Sequence, residues 1–141
     1  INPIHEFINY NKPFLGICLG MQLLFESSNE FSFNKGLNLI KGNVKGFNDF
    51  NQINQIPHVG WNKLKFCNKV FNDKLFSDSY FYFVHSFFVE PKDRNDVIAE
   101  TNYFDLNFCS IVKKNNILGC QFHPEKSGEA GLSFLENLFN Q

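Results

Sequence analysis

A cysteine between two glycines is the first feature of this chain that could do chemistry. Residues 12–25 run as KPFLGICLGMQLLF, in which a short apolar stretch meets Gly16 and apolar residues resume after Cys18 at helical spacing. This pattern predicts a buried strand that turns sharply into a helix at Cys18, which is the geometry of a nucleophile elbow. We expect the thiol to be presented at the carboxyl end of that strand, where it could act as a nucleophile.

The two glycines and the start of the helix lead to specific expectations for Cys18. A side chain at Gly16 or Gly20 would collide with the neighbouring strand or helix, so both positions are expected to require glycine. The positive end of a helix dipole and its free N–H groups favour thiolate over thiol, and the Leu19 N–H could point at an oxyanion. The alternative is a buried structural cysteine beside two packing glycines.

A second segment could supply the base that a cysteine nucleophile needs. Residues 117–125 run as ILGCQFHPE, which predicts another buried strand, ending in His123 and Glu125. An imidazole can take the thiol proton and later protonate a leaving amine, while a carboxylate behind the ring fixes its tautomer. On an extended segment these two side chains would point the same way, although Pro124 bends that geometry. His-Pro-Glu alone is more often an ordinary turn, but with the elbow it forms a candidate Cys18–His123–Glu125 triad.

Hydrophobic periodicity indicates which elements would position these residues. The predicted helices are residues 3–10, 19–27 and 128–139. The last helix is expected to carry Leu132, Leu135, Leu138 and Phe139 on one face. The predicted strands are residues 14–17, 37–47, 59–66, 80–90, 97–102, 107–113 and 118–122. Early βα units followed by a β-rich middle predict an α/β fold, with a central, mostly parallel sheet and an added antiparallel portion.

Length and charge limit the broad class of protein. A chain of 141 residues with a net charge of −1 suits a single globular domain over residues 1–141. This charge balance does not indicate a nucleic-acid partner or an anionic membrane surface. The sequence contains no run of about 18 uncharged apolar residues, so no membrane-spanning helix is predicted.

The remaining cysteines and the histidines of the apolar strands are expected to be structural. Cys67, Cys109 and Cys120 lack Cys-x-x-Cys spacing, and no histidine follows them at zinc-finger distance, so no metal site is predicted. Cysteine in an apolar strand behaves as a small hydrophobic residue, and free thiols persist in a reducing cytoplasmic compartment. His58 and His85 are expected to be satisfied core residues rather than bases.

Several motifs together resemble one protein family. Residues 16–22 (GICLGMQ) and 122–125 (FHPE) resemble the class I glutamine amidotransferases, which use a Cys-His-Glu triad to hydrolyse glutamine to glutamate and ammonia. Residues 57–62 (PHVGWN), 80–91 (YFYFVHSFFVEP) and 125–131 (EKSGEAG) are similar to the glutaminase subunits of imidazole glycerol phosphate synthases, which act in histidine biosynthesis. The resemblance runs almost end to end. It implies a flavodoxin-like α/β sandwich and no cofactor or metal.

The resemblance also assigns residues to the glutamine substrate. Gln22 resembles the family residue that helps to hold glutamine, with simple exposure on the helix as its alternative. Glu30 matches a family carboxylate placed to receive the α-ammonium group, with a solvated face as its alternative. Ser86 and Phe87 resemble the segment whose backbone pairs with the amino-acid end of glutamine.

The family partner implied by the resemblance is a cyclase subunit, a TIM barrel that receives the ammonia in a sealed site. Trp61 is the only tryptophan, and the resemblance favours an interface role for it over core packing. Tyr82 and Lys126 match family positions near the gateway between the two sites, and Lys126 could pair with a cyclase carboxylate.

The resemblance further implies a segment before the position where this chain begins. In the family that segment holds the first strand and a glycine-rich loop with the second oxyanion N–H. The chain opens at Ile1 and reaches Cys18 soon afterwards, so we expect the sequence to lack its amino-terminal part.

Two other functions remain open at this level. One is a different enzyme on the same framework, such as the glutaminase of another synthase, or a γ-glutamyl or peptide hydrolase. Residues 57–62 and 122–127 argue against it. The other is a non-catalytic docking module. The intact candidate triad argues against this alternative.

Overall fold

The computed structural model describes residues 2–68 and 73–139. The helices are α1 (Asn2–Asn9), α2 (Leu19–Leu23), α3 (Asp73–Phe76) and α4 (Gly128–Phe139). The strands are β1 (Phe14–Ile17), β2 (Ser27–Ser28), β3 (Asn34–Lys35), β4 (Gly42–Gly46), β5 (His58–Lys63), β6 (Lys65–Phe66), β7 (Tyr80–His85), β8 (Phe87–Pro91), β9 (Val97–Tyr103), β10 (Leu106–Lys114) and β11 (Ile117–Cys120). Single 3₁₀ turns lie at Phe47–Asp49, Arg94–Asp96 and Pro124–Lys126.

One large sheet and one two-stranded ribbon organise these strands. The large sheet has the order β1-β11-β10-β8-β4-β2-β3, with β9 also paired to β10 and β6 paired to β9. Strands β1 and β11 run parallel, as do β2 and β4, and the other described pairs are antiparallel. The α/β class and the added antiparallel portion are confirmed.

The antiparallel portion is larger than expected because residues 80–90 form two strands and not one. The chain leaves the ribbon at Ser86, so that β7 pairs with β5 while β8 joins the large sheet between β4 and β10. This change of sheet places Ser86 near the carboxyl end of β1, where Ser86 and Cys18 line one cleft.

The large sheet separates two hydrophobic cores. Along β10, Phe108 and Ile111 enter one core, while Cys109 and Val112 enter the other. Helices α1 and α2 belong to the second core, and α4 and the β5–β7 ribbon belong to the first. Residues that alternate between two apolar environments are typical of a sheet covered on both faces. None of the described helices is long and apolar enough to cross a membrane.

Two predicted elements are shorter in the structure. The helix predicted over residues 19–27 ends at Leu23, and the strand predicted over residues 37–47 begins at Gly42. The causes are linked, because residues 37–40 donate their N–H groups to the carbonyl groups of residues 23–25. The end of the helix is therefore satisfied by a distant segment, which local periodicity does not reveal.

The face that α4 buries differs in part from the predicted one. Phe134 is fully buried, and Leu135 and Leu138 pack against the first core as expected, but Leu132 is 60% exposed. The expectation for Leu132 is wrong because the bulkier Phe134 sets the rotation of the helix, and the side chain two residues earlier then faces outward. The side chain of Phe139 lies outside the described part of the chain.

Candidate active site

Cys18 occupies the sharp turn between β1 and α2. Its backbone has φ 50° and ψ −109°, a conformation that L-residues rarely adopt, so the strained elbow predicted from the sequence is confirmed. A Cβ atom at Gly16 would lie 2.7 Å from the Gly20 carbonyl oxygen, which confirms the need for glycine there. The same expectation for Gly20 is wrong, since a Cβ atom at that position meets no described atom within 4 Å outside its own helix and its chain neighbours.

Parallel pairing brings the elbow to the second candidate segment. Strand β1 lies beside β11 with Ile17 opposite Cys120, and the Cys18 N–H donates to the Cys120 carbonyl at 2.8 Å. Parallel strands end at the same edge of a sheet, so the residues after β1 and after β11 emerge side by side. Cys18 and His123 therefore share one sheet edge although about a hundred residues separate them in the sequence.

His123 and Glu125 are in contact, but not through an extended segment. Strand β11 ends at Cys120, and Glu125 lies in the Pro124–Lys126 turn. The turn brings the Glu125 carboxylate to 2.6 Å from His123 Nδ1. A carboxylate can only accept at neutral pH, so Nδ1 carries the proton and Nε2 is the ring nitrogen able to receive one.

Hydrogen bonds to β7 hold this turn in place. The His123 N–H donates to the Tyr82 carbonyl at 2.9 Å. The Ser127 hydroxyl donates to the His123 carbonyl at 2.7 Å and accepts from the Tyr82 N–H at 3.0 Å. Ser127 is buried, so both bonds are partly shielded from water. The position of the imidazole is thus coupled to the ribbon on which Tyr82 lies.

The thiol is less acidic than the sequence predicted. Burial raises the pKa of Cys18, and hydrogen bonds from the Leu19 N–H and the Gln121 amide offset only part of that rise. The charges of Glu125 and Glu30 raise the pKa further. The expectation that the helix start makes the thiolate the favoured form is wrong because desolvation of the sulfur by burial outweighs the effect of the Leu19 N–H. A raised pKa favours the protonated thiol at neutral pH, so a base must remove this proton during nucleophilic attack.

A cleft opens beside Cys18 and brings together the residues expected to bind substrate. It is lined by Cys18, Leu19, Gln22, Glu30, Phe31, Asn48, Ile56, Val84, His85, Ser86 and Phe87. Among the described residues, no lysine or arginine nitrogen lies within 4.0 Å of the Glu30 carboxylate. This acid is therefore available for a cation that enters the cleft.

Gln22 is buried and not exposed on the helix surface. Its amide nitrogen donates to the Phe87 carbonyl at 2.9 Å and to Gln121 Oε1 at 3.2 Å. The Phe87 carbonyl also accepts from His85 Nδ1 at 2.8 Å, and the Ser86 carbonyl accepts from the Phe47 N–H at 3.0 Å. The carbonyl groups of both residues are thus occupied by the protein, and a ligand contact with Gln22 would use its amide oxygen.

The buried histidines form a pair at the wall of the cleft, which His85 lines. His58 Nδ1 and His85 Nε2 are 2.9 Å apart, and the rings are surrounded by Phe47, Phe83 and Phe108. Burial lowers the pKa of His58 to about 4 and that of His85 to about 3, so both rings are neutral at pH 7. The expectation that they are core residues is confirmed.

An exposed aromatic surface adjoins the site. Trp61 is 54% exposed and pairs across the ribbon with Tyr82, with ring centroids 5.8 Å apart. The neighbouring pair on this face is Val59 and Val84, both exposed. Lys126 is exposed on the turn that Tyr82 holds. The alternative that Trp61 packs in the core is therefore wrong, and its exposure is consistent with a role at the protein surface.

The sequence reasoning missed two residues of the site, Gln121 and Ser127. Gln121 is fully buried, and its amide nitrogen lies 3.5 Å from the Cys18 sulfur. The available signal was a large polar residue inside an otherwise apolar strand segment, which must find a partner if buried. For Ser127 the signal was a small hydroxyl residue immediately after the turn.

The other cysteines differ in their surroundings. Cys109 and Cys120 are buried as expected, whereas Cys67 is exposed, so packing does not explain it. In the part of the chain that the structure describes, no group of three or more His, Cys, Asp or Glu side chains is arranged to hold a metal ion.

The sequence as a whole matches one family of proteins. Residues 1–141 match the family model described as glutamine amidotransferase class-I. With a nucleophile elbow and a His-Glu turn at one sheet edge, the chain belongs to the class I glutamine amidotransferase family.

Curated relatives point to one branch of that family. The chain is 45% identical over 135 residues to the imidazole glycerol phosphate synthase subunit HisH of Methanocaldococcus jannaschii, and covers 66% of that protein with 95% of its own length. It is 46% identical over 139 residues to the subunit HisH of Sulfurimonas denitrificans, and covers 67% of that protein with 97% of its own length. The chain thus spans about two thirds of the length of these relatives.

Solved structures share the fold. A crystal structure described as a glutamine amidotransferase aligns with a TM-score of 0.64 at 18% identity, over 98% of this chain and 67% of that one. The glutaminase domain of Trypanosoma brucei CTPS with bound acivicin aligns with a TM-score of 0.60 at 20% identity, over 96% of this chain and 63% of that one. These alignments support the α/β architecture described above.

Proposed function

We propose that this chain is the glutaminase subunit of an imidazole glycerol phosphate synthase, acting as a single domain in the cytoplasm. It hydrolyses glutamine to glutamate and ammonia and passes the ammonia to a cyclase subunit. The observation that carries this proposal is that the Cys18 elbow and the hydrogen-bonded His123–Glu125 pair follow two neighbouring parallel strands at one sheet edge. The HisH relatives support the choice of synthase.

The reaction follows from the roles that these groups can take. His123 Nε2 removes the Cys18 proton as the sulfur attacks the γ-carboxamide carbon of glutamine. The Leu19 N–H stabilises the oxyanion of the tetrahedral intermediate. His123 then gives its proton to the departing nitrogen, which leaves as ammonia, and a thioester remains on Cys18. His123 next activates water, which hydrolyses the thioester to glutamate and the free thiol, while Glu125 stabilises each imidazolium.

The cleft residues would orient glutamine for this attack. The Glu30 carboxylate receives the α-ammonium group, because it faces the cleft without a lysine or arginine partner among the described residues. Gln22 and the backbone of Ser86 and Phe87 hold the amino-acid end. The mechanism uses only protein groups, so we propose no cofactor or metal for this half of the reaction.

The exposed aromatic surface would bind the cyclase. Tryptophan and tyrosine are enriched at interface hot spots, and Trp61 and Tyr82 form an exposed pair beside the site. Lys126 would pair with a cyclase carboxylate. Because the Tyr82 carbonyl accepts from the His123 N–H, a partner on this surface would contact the strand that holds the base. The cyclase would combine the ammonia with its phosphoribulosyl substrate to form imidazole glycerol phosphate.

Glutamate release tests the proposed chemistry. We expect the protein, with the cyclase subunit and its ligand, to release glutamate from glutamine, and the Cys18→Ala variant to release none. Cys67→Ala is the matched control, because it removes an exposed thiol away from the cleft and should leave the rate unchanged. Release that survives in Cys18→Ala would refute the assignment of the nucleophile. Release without ammonia transfer to this cyclase would instead indicate a different synthase.

A further inference from the structure

Two buried glutamine side chains lie directly behind the nucleophile. Gln121 is fully buried, with its backbone N–H bonded to the Ser110 carbonyl at 2.9 Å and its Nε2 3.5 Å from Cys18 Sγ. Gln22 is buried beside it and donates to Gln121 Oε1 at 3.2 Å. A buried amide adjacent to a reactive sulfur can change both the position and the acidity of the thiol.

The hydrogen bonds determine which end of the Gln121 amide faces the thiol. Gln22 lies 2.9 Å from the Phe87 carbonyl, which can only accept, so the Gln22 atom there must be its nitrogen. The second N–H of that nitrogen then points at Gln121, where only the amide oxygen can accept. The Gln121 nitrogen is therefore the atom turned towards Cys18. An inverted Gln121 would place two N–H groups against each other.

We propose that Gln121 is a positioning residue for the nucleophile: its amide nitrogen donates to the Cys18 sulfur, and Gln22 fixes the amide in the donating orientation. This inference rests on the proposed glutaminase function. It adds a role for the two amides that the triad itself does not require.

The proposed reaction explains why the sulfur needs this donor. The Leu19 N–H also lowers the pKa of the Cys18 thiol, but in the proposed reaction it stabilises the oxyanion of the tetrahedral intermediate. Gln121 is then the donor that stays on the sulfur. The surrounding charges make such a donor necessary, because Glu30 and Glu125 both disfavour a thiolate at Cys18 and His85 is neutral. The imidazolium that forms on His123 in the proposed reaction would offset them in part.

Measurement of the Cys18 thiol pKa tests this role of Gln121 and does not require turnover of glutamine. Iodoacetamide alkylates the Cys18 thiolate, and peptide mapping separates this site from the exposed Cys67. We expect Gln121→Met, which keeps the side-chain length but removes the donor, to raise the apparent pKa of Cys18 by about one unit. At a pH below the Cys18 pKa of both the unaltered protein and the variant, alkylation of the variant is then about tenfold slower. Gln121→Glu should slow it further, since it adds a like charge. Gln52→Met, at an exposed glutamine, is the matched control and should change nothing.

Failure of this inference is distinguishable from failure of the proposed function. A Gln121→Met alkylation profile that coincides with the unaltered protein would overturn the role of Gln121, whether or not glutamine is hydrolysed. Thermal unfolding reports whether each variant is folded. If both Gln121 variants unfold, Gln22→Met decides the matter, because it leaves Gln121 in place and only frees its amide. We expect Gln22→Met to raise the apparent pKa of Cys18 by a smaller amount. An unchanged pKa in this variant would overturn the proposal.

Discussion

Replacing Gly16 by alanine tests whether the close contact between β1 and α2 sets the position of the nucleophile. A Cβ atom at this position lies 2.7 Å from the Gly20 carbonyl oxygen, 2.8 Å from its carbon and 2.9 Å from the Met21 nitrogen. All three are backbone atoms, so no side chain can rotate away. The turn must open instead, and Cys18 lies within it.

The structure sets the size of the expected effect. Ordinary contact begins at 3.4 Å, so the closest pair must separate by 0.7 Å. Overpacking of this kind costs roughly 1–3 kcal/mol, and the lower entropy of the unfolded alanine variant returns about 0.5–1 kcal/mol. We expect the free energy of unfolding to fall by about 1 kcal/mol. A displacement of the nucleophile approaching 1 Å should lower kcat for glutamate release by on the order of 10- to 100-fold.

Gly20→Ala is the matched control in the same turn. A Cβ atom there meets no described atom within 4 Å outside its own helix and its chain neighbours, and alanine in a helix is favoured over glycine by up to about 1 kcal/mol. Urea unfolding and glutamate release, measured for both variants, check the prediction. Equal losses of stability and rate at the two positions would refute the reasoning, because the structure places a steric obstacle at only one of them.

Three further predictions concern the turn, the histidine pair and the exposed surface. Ser127→Ala removes two partly buried hydrogen bonds and should lower the free energy of unfolding by about 1–3 kcal/mol in urea titrations, while Ser133→Ala should not. His58 and His85 titrate near pH 6.5 when unfolded but near 4 and 3 when folded, so the unfolded state binds more protons between these values. The free energy of unfolding therefore has its full value above pH 6.5. It decreases as the pH is lowered below 6.5, by up to ~1.4 kcal/mol per pH unit per histidine, and a flat profile from pH 7 to 5 would contradict this. Trp61→Ala should weaken cyclase binding about 30-fold in titration calorimetry without changing stability, and an equal effect of the exposed Leu132→Ala would argue against this surface.

The parts of the site that depend on neighbouring residues were predictable from the sequence. The elbow follows from a few consecutive residues, and the structure gives β1 the predicted bounds of residues 14–17. Helix α4 likewise has its predicted bounds, residues 128–139. The proximity of His123 to Glu125 was predicted, although a 3₁₀ turn and not an extended strand produces it.

The properties that depend on distant residues were not predictable. Burial of the Cys18 thiol depends on segments far along the chain, such as Val84 and Gln121, and outweighs the local effect of the helix end. The open space at Gly20 depends on what packs against α2, which no local pattern specifies. The change of sheet at Ser86 lies inside a continuous aromatic run, whose alternation continues across the break.

Transfer of labelled nitrogen tests the central claim most directly. The protein and its cyclase subunit would be supplied with glutamine carrying ¹⁵N in the γ-amide, together with excess unlabelled ammonium. If glutamine hydrolysis at Cys18 delivers ammonia directly to the cyclase, mass spectrometry will find imidazole glycerol phosphate that carries the label. The Cys18→Ala variant will then yield only unlabelled product. Labelled product from Cys18→Ala, or wholly unlabelled product from the unaltered protein, would contradict the account.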